Sequence, residues 1–180
     1  WVSEEILRDL ADTQTPQGIV AVIQKEEMGQ PDLRQGKFLF LEDVQDPGNV
    51  GTMIRTADAA GFTGVIVSDK SADIYSLKTL RSMQGSHFHL PIYRMSPADF
   101  VEEAKKSNLP ILATTLSRNS KDYRELSPLE DFALVMGNEG QGISPVMAES
   151  ADQLVHIGMK GRAESLNVAV AAGILMFYFS

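Results

Sequence analysis

"KFLFLEDVQDPGNVGTMIRTADAAGFTGVIVSD", residues 37 to 69, reads as a strand, a turn, a helix and a second strand. Pro47-Gly48 is a turn signal, and Asn49 is placed to cap a helix over residues 49 to 60. Within that helix Val50, Met53, Ile54 and Ala57 form the apolar stripe, and at about 100° per residue Arg55 falls on the other side. Helix spacing alone reads Arg55 as a solvated arginine paired with Asp58 three residues on.

Outward from this stretch the alternation continues. "HLPIYR", "PILATTL", "DFALVMG" and "QLVHIG" read as strands, while "SLKTLRSMQG", "PADFVEEAKKSN", a short segment from Ser144 and "NVAVAAGILMFYF" read as helices. Strands alternating with helices predict an α/β fold, an open parallel sheet with helices on both faces. In such sheets ligands bind beyond the carboxyl ends of the strands, so the loops that follow strands are where chemistry is expected. Upstream, "VSEEILRDLADT" reads as a short amphipathic helix capped by Ser3, with Ile6, Leu7 and Leu10 on one face. "PQGIVAVIQK" reads as a strand and "EEMGQPDLRQGK" as a polar loop.

With 180 residues the chain fits one core. Its 43% hydrophobic and 22% charged residues suit a soluble globular domain, and no apolar run reaches the roughly 20 residues of a membrane span. The absence of cysteine excludes disulfides, thiolate metal sites and a cysteine nucleophile, and agrees with a cytoplasmic setting. His87 and His89 read H-x-H on a strand, with both rings on one face; no third ligand accompanies them, so no metal is expected. The net charge of −8, from 16 Lys and Arg against 24 Asp and Glu, means that a polyanion must be gripped locally. The chain opens at Trp1 rather than at methionine, and the expectation is a segment upstream, with residues 1–30 as linker and residues 31–180 as the functional domain.

Two more loops carry glycines and polar residues where ligands are expected. "VMGNEGQGIS" runs a buried strand into Gly137, Gly140 and Gly142, which let backbone approach a ligand closely. Glu139 between them is either a solvated acid or a site residue, and the G-x-G-x-x-G dinucleotide pattern is absent. In "IGMKGRAESLNVAVAAGILMFYF", Ser165 or Asn167 caps the final helix. That helix is apolar on nearly every side, which predicts burial and a partner surface.

Together "NVGTMIRTA", "MGNEGQGIS" and "ESLNVAVAAGI" resemble the three ordered motifs of the SpoU, or TrmH-like, RNA 2′-O-ribose methyltransferases of the SPOUT class, over about residues 37 to 180. "LADTQTPQGIVAVIQK" resembles the lead-in to that domain in members with an upstream RNA-binding domain. The resemblance implies an open parallel α/β sheet with a C-terminal trefoil knot, a homodimer, and S-adenosylmethionine as cofactor. It also implies that Thr114, Gly137, Ile157 and Leu166 border the cofactor, and that Arg55 faces the RNA ribose and phosphate. A guanidinium with a pKa above about 12 suits orientation and charge stabilisation better than proton abstraction. Asn49 and Asn167 are implied to hold the loops and Arg55, while Glu139 and Ser165 contact substrate or order the arginine. Ribosomal RNA is the implied substrate before transfer RNA. Lys160 and Arg162 either touch phosphate or are solvated loop residues. The rival readings are a noncatalytic RNA-binding module of the same fold and an ordinary nucleotide-binding Rossmann protein, the latter disfavoured by the missing fingerprint.

Overall fold

The computed structural model describes residues 1–11, 15–24 and 28–180. Its strands are β1 (Lys37–Leu41), β2 (Gly64–Val67), β3 (Ile92–Arg94), β4 (Ile111–Thr114), β5 (Lys121–Asp122), β6 (Phe132–Met136) and β7 (Gln153–His156). Its helices are α1 (Glu4–Ala11), α2 (Pro47–Ala59), α3 (Leu77–Met83), α4 (Pro97–Ser107), α5 (Pro145–Ser150) and α6 (Val168–Phe179). The strands form one sheet in the order β3-β2-β1-β6-β4-β7-β5, and every neighbouring pair is parallel. The predicted α/β class and parallel sheet are therefore what the chain adopts.

Period-two alternation divides the core between the two faces. On β1, Leu39 and Leu41 join Val50, Met53, Ile54, Leu175 and Phe179 beneath α2, α3 and α6. Phe38 and Phe40 point the other way and join Phe100, Val101 and Met147 beneath α4 and α5, with Phe40 and Phe100 stacked at 4.2 Å. Burial on both faces explains why these strands read as unbroken apolar runs. The crossover helices place the β1, β6 and β7 loops on one edge of the sheet, where α2, α5 and α6 begin.

Four local expectations change. Residues 16–24 belong to no strand, and Ile19 and Val22 are 84% and 99% exposed. This apolar run is strand propensity without a pairing partner, and propensity alone does not make a strand. His87 lies in a short 3-10 turn, Ser86–Phe88, that ends at His89, so the two rings do not share a strand face. The polar loop after β4 contains β5, an edge strand too short for a periodic signal. Asp46, not Asn49, caps α2, with Pro47 at the first helical position, where its missing N–H costs nothing. The α1 helix forms with Ser3 Oγ accepting from the Ile6 amide at 3.3 Å, yet none of its residues is buried. Residues 12–14 and 25–27, which the predicted helix, strand and polar loop include, lie outside the described residues. No described helix is long and apolar enough to cross a membrane.

Candidate active site

Because Asp46 caps α2, the side chain of Asn49 is released for tertiary contacts. Asp46 Oδ1 accepts from the Asn49 amide at 2.9 Å and its Oδ2 accepts from Lys78 Nζ at 2.9 Å. The Lys78 ammonium and then the Asn49 amide hold the Asp46 carboxyl below its ordinary range. Asn49 Nδ2 donates to Glu139 Oε1 at 3.1 Å, and Asn49 Oδ1 accepts from Asn167 Nδ2 at 3.0 Å. Asn167 Oδ1 in turn caps α6, accepting from the amides of Ala169 and Val170. Three loops more than 90 residues apart at the ends are joined by this line of amides and one carboxylate.

Glu139 completes the line with backbone. Its two oxygens accept from the amides of Gln45 and Asp46, both at 3.1 Å. Burial pushes its carboxyl up, but the Asn49, Asp46 and Gln45 donors outweigh that and leave it below its ordinary value. A carboxylate surrounded by donors in this way is a poor proton acceptor and a good clamp.

The loop after β6 folds back on itself. Asn138 and Gly142 exchange two backbone hydrogen bonds, both 2.9 Å, while Asn138 Oδ1 accepts from the Gly140 and Gln141 amides. A Cβ on Gly137 would meet the carbonyl carbon of Gly142 and the nitrogen of Ile143 at 2.3 and 2.4 Å. Glycine at 137 is thus required by the loop's own backbone, not only by a ligand. Below it, Glu42 Oε2 accepts from the Ser144 amide at 3.0 Å, and Ser144 caps α5.

These loops enclose a cavity of about 560 Å³ at the carboxyl ends of β4, β6 and β7. Thr114, Gly137, Ile157 and Leu166 line it, as do Glu139, Ser165 and Asn167. Thr114 Oγ1 donates to the Val135 carbonyl, which turns its methyl group and not a free hydroxyl into play. The Ser165 hydroxyl makes no hydrogen bond among the described residues and is open to a ligand. Asn138 and His156 are among the lining residues that the sequence reading did not single out. Asn138 shapes the loop as described, and His156 has its Nδ1 2.9 Å from Ser120 Oγ. Asn138 carries a turn-forming side chain, a signal present in the sequence; His156 has no local signal.

Arg55 and Asn49 do not line that cavity. Arg55 is exposed on α2, and its guanidinium makes no hydrogen bond or ion pair among the described residues. Asp58 faces His89 instead, at 3.2 Å, so the pairing of Arg55 with Asp58 is not formed. On either side of Arg55, α2 is hemmed in. Gly51 touches α3 so closely that a Cβ would lie 2.6 Å from the Thr79 carbonyl, and Thr56 Cγ2 reaches Gly173 of α6.

The sequence profile described as the SpoU rRNA Methylase family matches residues 36–177. The chain belongs to the SpoU rRNA methylase family. A curated relative, the 23S rRNA (guanosine(2553)-2′-O)-methyltransferase RlmP of Bacillus subtilis strain 168, is 45% identical over 177 residues, covering 98% of this chain and 70% of RlmP. Among solved structures, the AdoMet-bound rRNA methyltransferase from Sinorhizobium meliloti is 36% identical with a TM-score of 0.89, covering 98% of this chain and 69% of that one. The SpoU methyltransferase AviRb from Streptomyces viridochromogenes, in complex with the cofactor AdoMet, is 34% identical with a TM-score of 0.70 over 83% of this chain and 58% of that one. Within the SpoU family frame, the lattice of Asn167, Asn49 and Glu139 joins the three motif loops.

Proposed function

We propose that this SpoU family chain catalyses methylation of a ribose 2′-hydroxyl in ribosomal RNA, with S-adenosylmethionine as cofactor. The observation that carries this is the convergence of three motif loops, through Asn167, Asn49 and Glu139, on one cavity at the carboxyl edge of the sheet. Its relative RlmP bears the name of a 23S rRNA 2′-O-methyltransferase. A ribosomal RNA substrate supports a cytoplasmic setting for the reaction.

The cavity fits the cofactor. Its volume lies in the range of about 300–1,000 Å³ usual for small-molecule sites, and Met136, Ile157, Leu166 and Leu175 give an apolar wall for a planar base. Backbone groups of the two glycine-bearing loops stand beside that wall. When bound there, S-adenosylmethionine supplies an activated methyl group. The protein's part is to position and to stabilise charge. Arg55 grips the RNA phosphate and orients the hydroxyl. Glu139, with both oxygens engaged, holds the α2 turn, and Asn49 and Asn167 fix the loops against each other. Ser165 offers its unpartnered hydroxyl to cofactor or ribose.

Arg55 does not line its own chain's cavity, and α6 exposes Val170, Ile174 and Phe177 along one side. Both features are accounted for by a homodimer in which α6 is covered and Arg55 serves the neighbouring cavity. The trefoil threading expected of the family is assigned to the C-terminal part of the chain. Residues 1–30 act as the lead-in from an RNA-binding domain, a role supported by their exposed Ile6, Ile19 and Val22.

Tritiated methyl transfer to a 23S rRNA transcript containing guanosine 2553 tests the assignment. Arg55→Ala is expected to lower transfer about 100-fold or more, the size of a lost charge-stabilising donor, with S-adenosylmethionine affinity and melting temperature unchanged. Wild-type transfer by the variant removes Arg55 from the mechanism.

A further inference from the structure

Phe88 is 70% exposed, the most exposed aromatic ring between residues 28 and 180. The chain leaves α3 through two successive left-handed residues, Gln84 at φ 50° and Gly85 at φ 92°, and the turn that follows holds the ring outward. An exposed apolar side chain alone means little. Its surroundings are what single it out.

The His87 ring lies against Phe88 with centroids 4.0 Å apart and planes 38° apart. His87 Nδ1 is buried without a hydrogen-bond partner among the described residues, and burial, then the neighbouring His89, keep this imidazole below its ordinary pKa. Phe88 therefore rests on a second aromatic plane rather than on a flexible chain. His89 ties the turn to α2 through Asp58, one helical turn, or about 5 Å, beyond Arg55. Lys78 and Arg81 stand exposed on the adjoining α3, Lys78 being bonded to Asp46 at the start of α2. Arg55 on α2 and Lys78 and Arg81 on α3 are cations of the two helices next to this turn, in a chain of net charge −8.

We propose that Phe88, backed by His87, stacks on an unpaired RNA base close to the nucleotide whose ribose Arg55 engages. The proposal rests on the RNA-methylating reading of the site. Single-stranded RNA is commonly held by aromatic stacking with cations along the backbone.

Phe88→Leu keeps an apolar side chain and removes the ring, while Phe88→Trp keeps a ring. With the same 23S rRNA transcript, Phe88→Leu is expected to raise KM for RNA about tenfold, with a smaller change in kcat and unchanged S-adenosylmethionine affinity. Phe88→Trp should restore the wild-type KM. A wild-type KM for Phe88→Leu overturns the proposal, as does equal impairment of both variants. Monomers in sedimentation of Phe88→Leu where the wild type is dimeric overturn it too, assigning the ring to the contact between copies. If the wild type methylates no transcript, the functional reading itself fails. Stacking is then read from quenching of 2-aminopurine in a short single-stranded RNA, and quenching that survives in Phe88→Leu overturns it.

Discussion

The sheet has a cavity at each end, and the two are nearly equal in size. The one at the carboxyl ends holds about 560 Å³, and the one at the amino ends of β4 and β7 about 600 Å³. Their walls differ in kind. At the amino end stand the last residues of α4, Lys105 and Asn108, with Leu109, Leu126 and Leu129. Its carboxylate, Asp152, is already bonded to the Ile111 amide at 2.8 Å, fastening β4 to β7. At the carboxyl end α2, α5 and α6 begin, so amide donors and the positive ends of helix dipoles gather there. Volume does not choose the site; strand and helix direction do, because a parallel sheet sends all its crossover helices out from the same edge.

The sharpest way to break this comparison is at Gly137. Gly137→Ala sets a methyl group 2.3–2.5 Å from backbone atoms of Gly142 and Ile143, which cannot move aside as a side-chain tip can. Loss of detectable S-adenosylmethionine binding by calorimetry is expected, with a destabilisation of about 1–3 kcal/mol. Gly161→Ala, whose Cβ would meet nothing within 4 Å and which does not line the cavity, serves as the control. Normal binding by the 137 variant would mean that the loop is not the wall of the site.

A smaller effect belongs to Glu139. Glu139→Gln removes the charge that gathers the Gln45, Asp46 and Asn49 donors, and hydrogen bonds to a charged group contribute about 1.5–3 kcal/mol. Methyl transfer should fall about tenfold, and a variant as active as the wild type would show that the clamp is idle. The pH dependence sharpens the point. Because the Glu139 carboxyl is lower in the folded chain, its contribution is fully present above the ordinary carboxylate pKa of about 4.3 and lost as pH falls through the lowered value. The difference in melting temperature between wild type and Glu139→Gln should therefore be constant near neutrality and shrink below about pH 4. A difference that grew on acidification would refute that linkage.

The least effect is expected at the amino end. Leu129→Trp fills that cavity and should leave cofactor affinity within about twofold, since substitutions remote from a site are usually near neutral. A large loss there would reverse the assignment of the two cavities.

Much of the site was legible in the sequence because its residues sit in short stretches with local signals. The glycines before α5, the polar run before α6 and the lone cation on α2 are all visible as text, and of the site residues named from them all but Asn49 and Arg55 line one cavity. Asp46-Pro47 was equally legible as cap and first helical residue, though Asn49 took that place in the reading. What Glu139 and Asn49 do was not legible, since their bond joins residues 90 apart and the Asn49–Asn167 bond residues 118 apart. The strand pattern at residues 16–24 illustrates the opposite error, a local preference with no partner to satisfy it.

By itself the sequence determined the parallel α/β class, the span of β1 through α6 and the three loops that matter, because apolar periodicity and turn chemistry act between near neighbours. Only the tertiary structure decided that β6 lies between β1 and β4, that Glu139 clamps the Gln45, Asp46 and Asn49 donors, and that Arg55 does not line its own chain's cavity. Those outcomes depend on which distant backbone donors and packed faces meet, and no periodicity along the chain records a pairing across it.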